Sequence, residues 1–348
     1  MSMKCRAFQH GLHVGPFGTV APCCKWSGPR SELGTDFRSQ WQTHEHRLAQ
    51  GWIPECLDCE QDEQEGIDSH RIIMNRGDLG DQGLVDMKLS TVCNLVCKMC
   101  EVKSSSKWLS MVKHTPQFDW HESQADRHMD MTRLNTNDQH MDQIKSHCEQ
   151  ADYIKFTGGE PMMLEQVKLV LEHCVTTGHS GSQTVQITTN MTHRLDSDWL
   201  TLLDQFDRVH IQCSVDGIES RYEYVRQGAE WGVVWHNLTR LKQLADQRPN
   251  WQWSIQSLDQ VLTMAQRLII PDFYRDHGMT VAQPMCHSPT YYSYQSVPHD
   301  LRSRYGVQYH RPYDVAQWHL LVKHQQYHDA VWHTSFEREC PELFDHKK

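Results

Sequence analysis

The segment LVDMKLSTVCNLVCKMC, residues 84–100, places three cysteines directly after an apolar stretch of β-strand length. Cys93, Cys97 and Cys100 have the spacing CxxxCxxC, and a helix-length segment follows them. Three thiolates on one loop can bind three irons of a cubane [4Fe–4S] cluster, which leaves the fourth iron open to a chelating ligand. The alternatives are a zinc site completed from elsewhere and a chance grouping, but the position between strand and helix argues against both.

Short apolar segments alternate with helix-length segments over the central part of the chain. Together with 84–90, the candidate strands are 152–156, 184–189, 208–214, 251–256 and 279–285. The segments with apolar residues at helical spacing are 162–178, 196–205, 229–247 and 258–270. This alternation predicts parallel βαβ units, and six strands predict an α/β fold built as an open, partial (β/α)6 TIM-like barrel.

The cysteine loop after the first strand resembles that of the radical S-adenosylmethionine (radical SAM) superfamily, and the resemblance covers residues 84–285. It implies that the amino and carboxylate groups of S-adenosylmethionine chelate the open iron. An electron from a reductant such as flavodoxin or ferredoxin then releases a 5′-deoxyadenosyl radical. The cofactor supplies this chemistry, while the protein positions it and excludes water.

A second motif, GGEP at residues 158–161, comes directly after the second predicted strand. Glycines let a ligand approach the backbone, and a carboxylate beside backbone carbonyls suits an ammonium group. The family resemblance implies that Gly158, Gly159, Glu160 and Pro161 hold the methionine amino group of the cofactor. The alternative is an ordinary turn with Pro161 in the first turn of a helix.

Polar residues also end the third and fourth predicted strands, at the barrel face where ligands of such barrels bind. Similar family positions contact the ribose and carboxylate of the cofactor, which implies cofactor contacts for Asn190, Ser214 and Asp216. The resemblance extends to Arg226 as a partner for the cofactor carboxylate. Turn-forming strand ends and an exposed helical arginine are the alternatives.

A further set of cysteines precedes the barrel. Gly18 stands five positions before Cys23, and this spacing resembles the Twitch and SPASM appendages of radical SAM enzymes. The resemblance implies one auxiliary [4Fe–4S] cluster, and hence two clusters in total, with Cys24 as the alternative to Cys23. A zinc knuckle is the rival interpretation. The expected auxiliary ligands are Cys5, Cys23, Cys56 and Cys59.

These motifs predict three parts of the chain. Residues 1–75 would form a small, loop-rich iron–sulfur appendage, because they are rich in Gly, Pro and Cys. Residues 84–285 would form the barrel, with an insertion at 113–150. Residues 286–348 would form a tail that contains a helix at 312–332.

Charge and hydropathy exclude several classes of function. The chain carries 44 acidic and 34 basic residues, a formal charge of −10, and no basic run suited to a phosphate backbone, which argues against a nucleic-acid partner. No apolar run approaches the roughly 18 residues of a membrane-spanning helix, and the start does not resemble a signal peptide. We therefore expect a cytoplasmic protein without a membrane partner.

The predicted function is that of a radical SAM oxidoreductase or maturase that abstracts hydrogen from a substrate carbon. The expected substrate is a peptide or protein side chain, because the tyrosine-rich segment 289–294 suggests a recognition surface beside the barrel mouth. Packing of those tyrosines against the barrel is the alternative. A small-molecule dehydrogenase, acting for example on an aminocyclitol, and a non-catalytic iron–sulfur electron-transfer or scaffold protein remain open. No catalytic acid, base or hydrogen donor can be assigned from the sequence.

Overall fold

The computed structural model describes residues 3–64, 66–114, 138–309 and 311–344. A mixed sheet of nine strands forms its centre, in the order β11-β10-β8-β7-β6-β4-β1-β2-β3. Two further short strands, β5 and β9, form a separate antiparallel pair. The strands are β1 Gly11–Val14, β2 Thr19–Ala21, β3 Ser31–Glu32, β4 Leu84–Met87, β5 Val96–Cys97, β6 Tyr153–Phe156, β7 Thr184–Thr189, β8 Arg208–Ser214, β9 Arg226–Gln227, β10 Trp251–Gln256 and β11 Val281–Ala282.

The six predicted barrel strands are all present, as β4, β6, β7, β8, β10 and β11, and neighbours among them pair in parallel. The alternation along β8 explains why this segment is a strand. Val209, Ile211 and Cys213 are buried on the helix side, whereas the residues between them face the interior of the barrel. The structure thus confirms the prediction of an open, partial α/β barrel.

The amino-terminal segment contributes strands to the same sheet. Strand β1 pairs in parallel with β4, and β2 pairs antiparallel with β1. The described part of residues 1–75 also contains a 12-residue helix, Phe37–Leu48, whose Phe37 and Trp41 are buried. The sheet therefore continues across the predicted boundary between appendage and barrel.

The helices pack mainly against the outer side of the sheet. The amino-terminal helices are α1 Ala7–His10, α2 Phe37–Leu48, α3 Leu57–Gln64 and α4 His70–Arg76, and α5 Ser106–His114 follows the cysteine loop. The barrel helices are α6 Asp138–Cys148, α7 Glu165–Thr176, α8 Ser197–Leu203, α9 Glu219–Val225, α10 Trp231–Asp246 and α11 Ile270–Asp276. The tail carries α12 His299–Arg304, α13 Val315–Trp332 and α14 Phe336–Glu339. Among these described helices, none is long and apolar enough to cross a membrane.

Most predicted helices are present, but the one at 258–270 is replaced by two elements. A 3₁₀ helix spans Val261–Gln266, where Gln260 and Thr263 form a capping box at its start. Helix α11 begins only at Ile270, because Pro271 suits the first turn of a helix better than its interior. Of the predicted insertion at 113–150, residues 115–137 lie outside the described residues, and residues 138–148 form α6.

The tail packs its tyrosines inward rather than exposing them. Tyr292 and Tyr294 are fully buried in a second apolar core beside the barrel. The Tyr292 hydroxyl lies 2.7 Å from His324 Nδ1, and the Tyr294 hydroxyl donates to Asp259. These contacts give the phenol groups the hydrogen-bond partners that buried hydroxyls require. The prediction of a tyrosine recognition surface at 289–294 is therefore wrong, and its packing alternative describes the segment.

Candidate functional site

The three-cysteine loop lies at the carboxyl end of the barrel strands and is fixed by contacts on both sides. Strand β5, which includes Cys97, pairs with β9, so the loop is joined to the segment that carries Arg226. The indole of Trp108 donates to the carbonyl of Cys97 at 2.8 Å, and the hydroxyl of Ser105 donates to the carbonyl of Leu95 at 2.8 Å. Both bonds are buried, which holds the loop against α5.

Cys93, Cys97 and Cys100 line one cavity of about 380 Å³. Burial raises the pKa of all three thiols, to about 12 for Cys100, and the neighbouring Cys93 raises the pKa of Cys97 and Cys100 further. Three sulfur ligands in a shared cavity fit an iron–sulfur cluster by donor type and number. Within the residues that the structure describes, no group of three or more His, Cys, Asp or Glu is arranged to hold a single metal ion.

The GGEP motif packs directly against the cysteine loop. Gly158 and Gly159 have φ values of +72° and +52°, and both line the cavity. A Cβ on Gly159 would lie 2.3 Å from the carbonyl oxygen of Val92, so no larger residue fits without a backbone shift. The backbone N–H of Glu160 donates to the same Val92 carbonyl at 2.7 Å. The two motifs thus share one backbone contact.

The side chain of Glu160 is buried behind the cavity wall. Its Oε1 accepts hydrogen bonds from the Thr189 hydroxyl at 2.8 Å and the Met162 N–H at 3.1 Å, and its Oε2 accepts one from the Asn190 N–H at 2.7 Å. Burial raises the pKa of Glu160, while these donors lower it. The carboxylate therefore binds the ends of neighbouring strands together, and Pro161, also buried, starts the following 3₁₀ helix.

Asn190 and Ser214 line the cavity at the ends of β7 and β8. The Asn190 amide nitrogen lies 4.0 Å from Cys93 Sγ and donates to Asn94 Oδ1 at 3.0 Å. Asn94 also donates to Thr192 at 2.8 Å. Sequence reasoning missed Asn94 and Thr189, although Asn94 stands inside the cysteine motif and Thr189 immediately precedes Asn190.

Arg226 lies beside the thiols, and Asp216 lies behind it. The guanidinium contacts Asp216 through Nε at 2.8 Å and Nη2 at 2.7 Å, and its Nη1 lies 3.8 Å from Cys97 Sγ. Burial opposes the charge of Arg226, but Asp216 raises the pKa of the guanidinium. Asp216 also accepts the Leu258 N–H at 2.6 Å and does not line the cavity. Asp216 therefore orients the arginine, which remains the cation that faces the cavity beside Cys97.

Four of the amino-terminal cysteines line a second pocket, closed on one side by Arg71: Cys5, Cys23, Cys56 and Cys59. Helix α4 fixes the backbone next to Cys5. Its residues Arg71 and Asn75 both donate to the carbonyl of Lys4, at 3.0 and 2.8 Å. Burial raises the pKa of all four thiols, to about 11 for Cys5 and about 12 for Cys56.

Cys24 faces a different environment from the four thiols that line this pocket. Cys24 is exposed, and the charged groups that act most strongly on its thiol are Asp86 and Lys155. The structure therefore brings together the four cysteines that the sequence grouped, and Cys24, although adjacent to Cys23, does not line their pocket. By donor type a four-thiol set suits zinc as well as an iron–sulfur cluster, although among the described residues these thiols are not arranged around a single metal ion.

Comparison with known proteins gives one family match, within the central region, and several similar solved structures. Residues 87–246 match the radical SAM superfamily. No curated protein matches the chain. Among solved structures, the chain is similar to a polyhistidine-tagged form of anSMEcpe with bound AdoMet, at 18% identity and a TM-score of 0.45, over 63% of this chain and 54% of that chain. It is also similar to SuiB of Streptococcus suis, at 14% identity and a TM-score of 0.36, over 97% of this chain and 74% of that chain.

The chain spans between 54% and 60% of the length of the four anSMEcpe chains that it matches. The superfamily match begins at Met87, the last residue of β4, and ends with α10. It includes the cysteine loop, GGEP and the strand ends around the cavity. Residues 87–246, just under half of the chain, therefore match a radical SAM domain that contains the cysteine loop and GGEP.

Proposed function

We propose that this protein is a radical SAM enzyme that abstracts a hydrogen atom from a substrate carbon, as an oxidoreductase or maturase. The observation that carries the proposal is the shared cavity at the carboxyl ends of the strands, where three thiols, two glycines and one cation meet. Cys93, Cys97 and Cys100 would hold a [4Fe–4S] cluster with one open iron. When bound, the cluster and S-adenosylmethionine would supply a 5′-deoxyadenosyl radical, with the electron provided by a reductant such as flavodoxin or ferredoxin.

The protein groups around the cavity would orient the cofactor by charge and hydrogen bonding. Gly158 and Gly159 expose backbone to the cavity, which suits the methionine ammonium group. Arg226 offers a cation to the carboxylate, and its salt bridge with Asp216 fixes the guanidinium. Asn190 and Ser214 present polar groups at the strand ends, where ribose hydroxyls would bind. Glu160 and Pro161 would support this wall from behind.

We propose that Cys5, Cys23, Cys56 and Cys59 hold an auxiliary [4Fe–4S] cluster in a Twitch- or SPASM-like amino-terminal unit. The pocket that they share supports a common ligand set, and the nearby Arg71 lowers the pKa of Cys5 and Cys56 against the larger effect of burial. A cation of this kind would favour the negative charge of a thiolate-bound cluster. Zinc bound by the same four cysteines is the alternative that metal analysis decides.

The proposed substrate is a peptide or protein side chain. The cavity of about 380 Å³ lies near the lower end of the range of about 300–1,000 Å³ for small-molecule sites, and the cofactor would fill much of it. The reacting part of the substrate must therefore be small or enter beside the part of the wall that Ser288 and Pro289 line. A side chain that projects from a larger molecule satisfies this condition.

The test is production of 5′-deoxyadenosine from S-adenosylmethionine by the anaerobically reconstituted, dithionite-reduced protein. We expect slow production without substrate and faster production with the correct substrate. The control is the variant with Cys93, Cys97 and Cys100 all changed to Ala, which should be inactive. A fully reconstituted protein that neither binds nor cleaves the cofactor would show that the site is not catalytic. Acceleration by cell-extract metabolites alone, with every candidate peptide inert, would exclude the peptide substrate and leave the radical reaction standing.

A further inference from the structure

A larger cavity, of about 670 Å³, lies at the opposite end of the barrel from the three-cysteine loop. Its lining comes from the residues that begin the strands, such as Tyr153 of β6, Thr184 of β7 and Arg208 of β8. The cysteine cavity is instead lined by residues that end or follow strands, such as Asn190 and Ser214. The two cavities therefore open at different ends of the sheet, and the proposed function does not use the one at the amino end.

The barrel interior above this cavity is polar, whereas closed (β/α)8 barrels are filled by branched apolar side chains. The Tyr153 hydroxyl donates to Gln186 at 2.7 Å, and Gln186 in turn donates to Gln212 at 3.3 Å. His210 lies 3.2 Å from the Ser254 hydroxyl. Such a row of amides, hydroxyls and imidazoles presents both donors and acceptors to the cavity.

The charged groups around the cavity are already compensated by protein partners. Lys155 Nζ lies 3.8 Å from the buried Asp86 carboxylate. The Asp152 carboxylate accepts three backbone N–H groups, at 2.8, 3.1 and 2.9 Å, and the Asp207 carboxylate lies 3.6 Å from the Arg208 guanidinium. The other two lining carboxylates, Asp78 and Asp81, pair with Arg76 at 3.2 Å and Arg6 at 3.4 Å. The four carboxylates outnumber the two lining cations, but each of them has a partner in the protein. Their chemistry therefore favours an uncharged ligand over an anion or a cation.

One buried polar atom at the cavity has no partner among the described residues, and its side chain also lines the four-cysteine pocket. His70 lies on α4, which covers one side of the cavity together with the loop at 77–81. Its Nε2 atom is buried and forms no hydrogen bond within the part of the chain that the structure describes. A buried polar atom without a partner is unfavourable, so a ligand or water that supplies one would be stabilised there.

We propose that this amino-end cavity is a second binding site, for an uncharged, polyhydroxylated small molecule such as a sugar or cyclitol. Hydroxyl groups are both donors and acceptors, as are the amides of Gln186, Gln212 and Gln252 that line the cavity. A volume of about 670 Å³ lies within the range of about 300–1,000 Å³ typical of small-molecule sites. The proposal is independent of the reaction at the cysteine cavity, because the two sites share no lining residue.

The test is isothermal titration calorimetry of the full, anaerobically reconstituted protein with D-glucose and with myo-inositol as probes. We expect at least one of them to bind, and inorganic phosphate to bind more weakly than that polyol. Gln252→Leu, at the exposed mouth, and Gln212→Leu, inside the barrel, should each weaken polyol binding about tenfold, because each removes an amide partner. Gln50→Leu is the matched control, since Gln50 is exposed and does not line the cavity.

Three results would overturn the proposal. The first is that neither polyol binds the unaltered protein. The second is that phosphate binds more tightly than either polyol, which would indicate an anion site. The third is polyol binding that survives Gln252→Leu and Gln212→Leu unchanged, because the polyol would then bind elsewhere, for example as a substrate at the cysteine cavity. If Gln212→Leu fails to fold, the exposed Gln252→Leu decides alone, and cofactor cleavage, measured separately, tests the proposed function without reference to this site.

Discussion

The backbone N–H of Asn190 donates a 2.7 Å hydrogen bond to Oε2 of Glu160, and this bond joins the GGEP motif to the end of β7. Asn190 then approaches Cys93 through its amide, at 4.0 Å. One buried carboxylate thus fixes a residue that faces the cysteine loop. The relationship makes Glu160 a positioning residue, whose effect on a bound cofactor passes through the cavity wall.

The first prediction concerns Glu160→Gln, which keeps the size of the side chain but replaces one acceptor oxygen by a donor amide. Oε1 and Oε2 both accept backbone N–H groups, so one of these bonds must be lost in either orientation of the amide. Hydrogen bonds to a charged group contribute about 1.5–3 kcal/mol. We expect the free energy of unfolding to fall by about that amount, together with weaker S-adenosylmethionine binding measured by calorimetry.

The matched control for this variant is Glu165→Gln, because Glu165 is exposed in the first turn of α7. We expect the control to change stability by no more than about 0.5 kcal/mol. A Glu160→Gln variant with unaltered stability and unaltered cofactor affinity would contradict the positioning role.

The second prediction concerns Gly159→Ala. The new Cβ would lie 2.3 Å from the Val92 carbonyl and would hold a φ of +52°, a conformation that costs an L-residue about 1–2 kcal/mol even without the clash. We expect lower stability and less iron bound after reconstitution, since Val92 immediately precedes Cys93. Gly181→Ala is the control, because a Cβ there meets nothing within 4 Å. Equal iron content in the two variants would argue against contact between the motifs.

The strands and the cysteine loop could be predicted because their signals are local. Apolar alternation over six or seven residues determines which faces of β7 and β8 are buried, and the cysteine spacing lies within eight residues. The pairing of β1 with β4 has no such signal. Gly11–Val14 joins a strand that begins at Leu84, and nothing in a four-residue apolar segment specifies so distant a partner.

The contacts within the site could not be fully predicted either, because they also join residues that are far apart in the sequence. Asp216 was predicted to contact the cofactor, but its side chain contacts Arg226 and the Leu258 N–H instead of lining the cavity. The short pairing of β5 with β9 brings Arg226 to Cys97 from a segment 129 residues away. Tertiary pairing, rather than any feature of residues 208–226, determines which polar residue faces the thiols.

The third prediction concerns the cation that faces the cavity. Arg226→Lys keeps the charge but loses the planar geometry that contacts Asp216 through two nitrogens. We expect S-adenosylmethionine to bind about tenfold or more weakly, which corresponds to about 1.5–3 kcal/mol for a charge-assisted hydrogen bond. Arg275→Lys, at an exposed position on α11, is the control. If the Arg226→Lys variant holds its full iron content and binds S-adenosylmethionine with unchanged affinity, Arg226 does not contact the cofactor.

The fourth prediction concerns the attachment of the tail to the barrel. Arg221 contacts Glu342 at 2.7 and 3.2 Å, and both side chains are less than 10% exposed. Glu342→Ala would leave the guanidinium buried without its carboxylate, and loss of one partner of a buried pair costs about 3–5 kcal/mol. We expect a matching loss of stability in chemical denaturation. Replacing both residues by Met should restore part of the lost stability, whereas Glu337→Ala, at an exposed position on α14, should have little effect.

The fifth prediction distinguishes the two adjacent cysteines of the amino-terminal unit. Cys23 lines the pocket with Cys5, Cys56 and Cys59, whereas Cys24 faces Asp86 and Lys155. If both cysteine sites hold [4Fe–4S] clusters, the reconstituted protein binds about eight irons, because each cubane contains four. We expect Cys23→Ser to bind about four irons and Cys24→Ser to bind about eight, with iron and acid-labile sulfide measured on the same samples.

Zinc analysis of the same samples decides which metal the amino-terminal site holds. About four irons together with one zinc in the unaltered protein would establish the zinc interpretation, and Cys23→Ser should then lose the zinc rather than iron. The variant with Cys93, Cys97 and Cys100 changed to Ala isolates the amino-terminal site, because the barrel ligands are gone. Loss of metal in Cys24→Ser but not in Cys23→Ser would contradict the geometry, since only the thiol of Cys23 shares a pocket with the other three ligands.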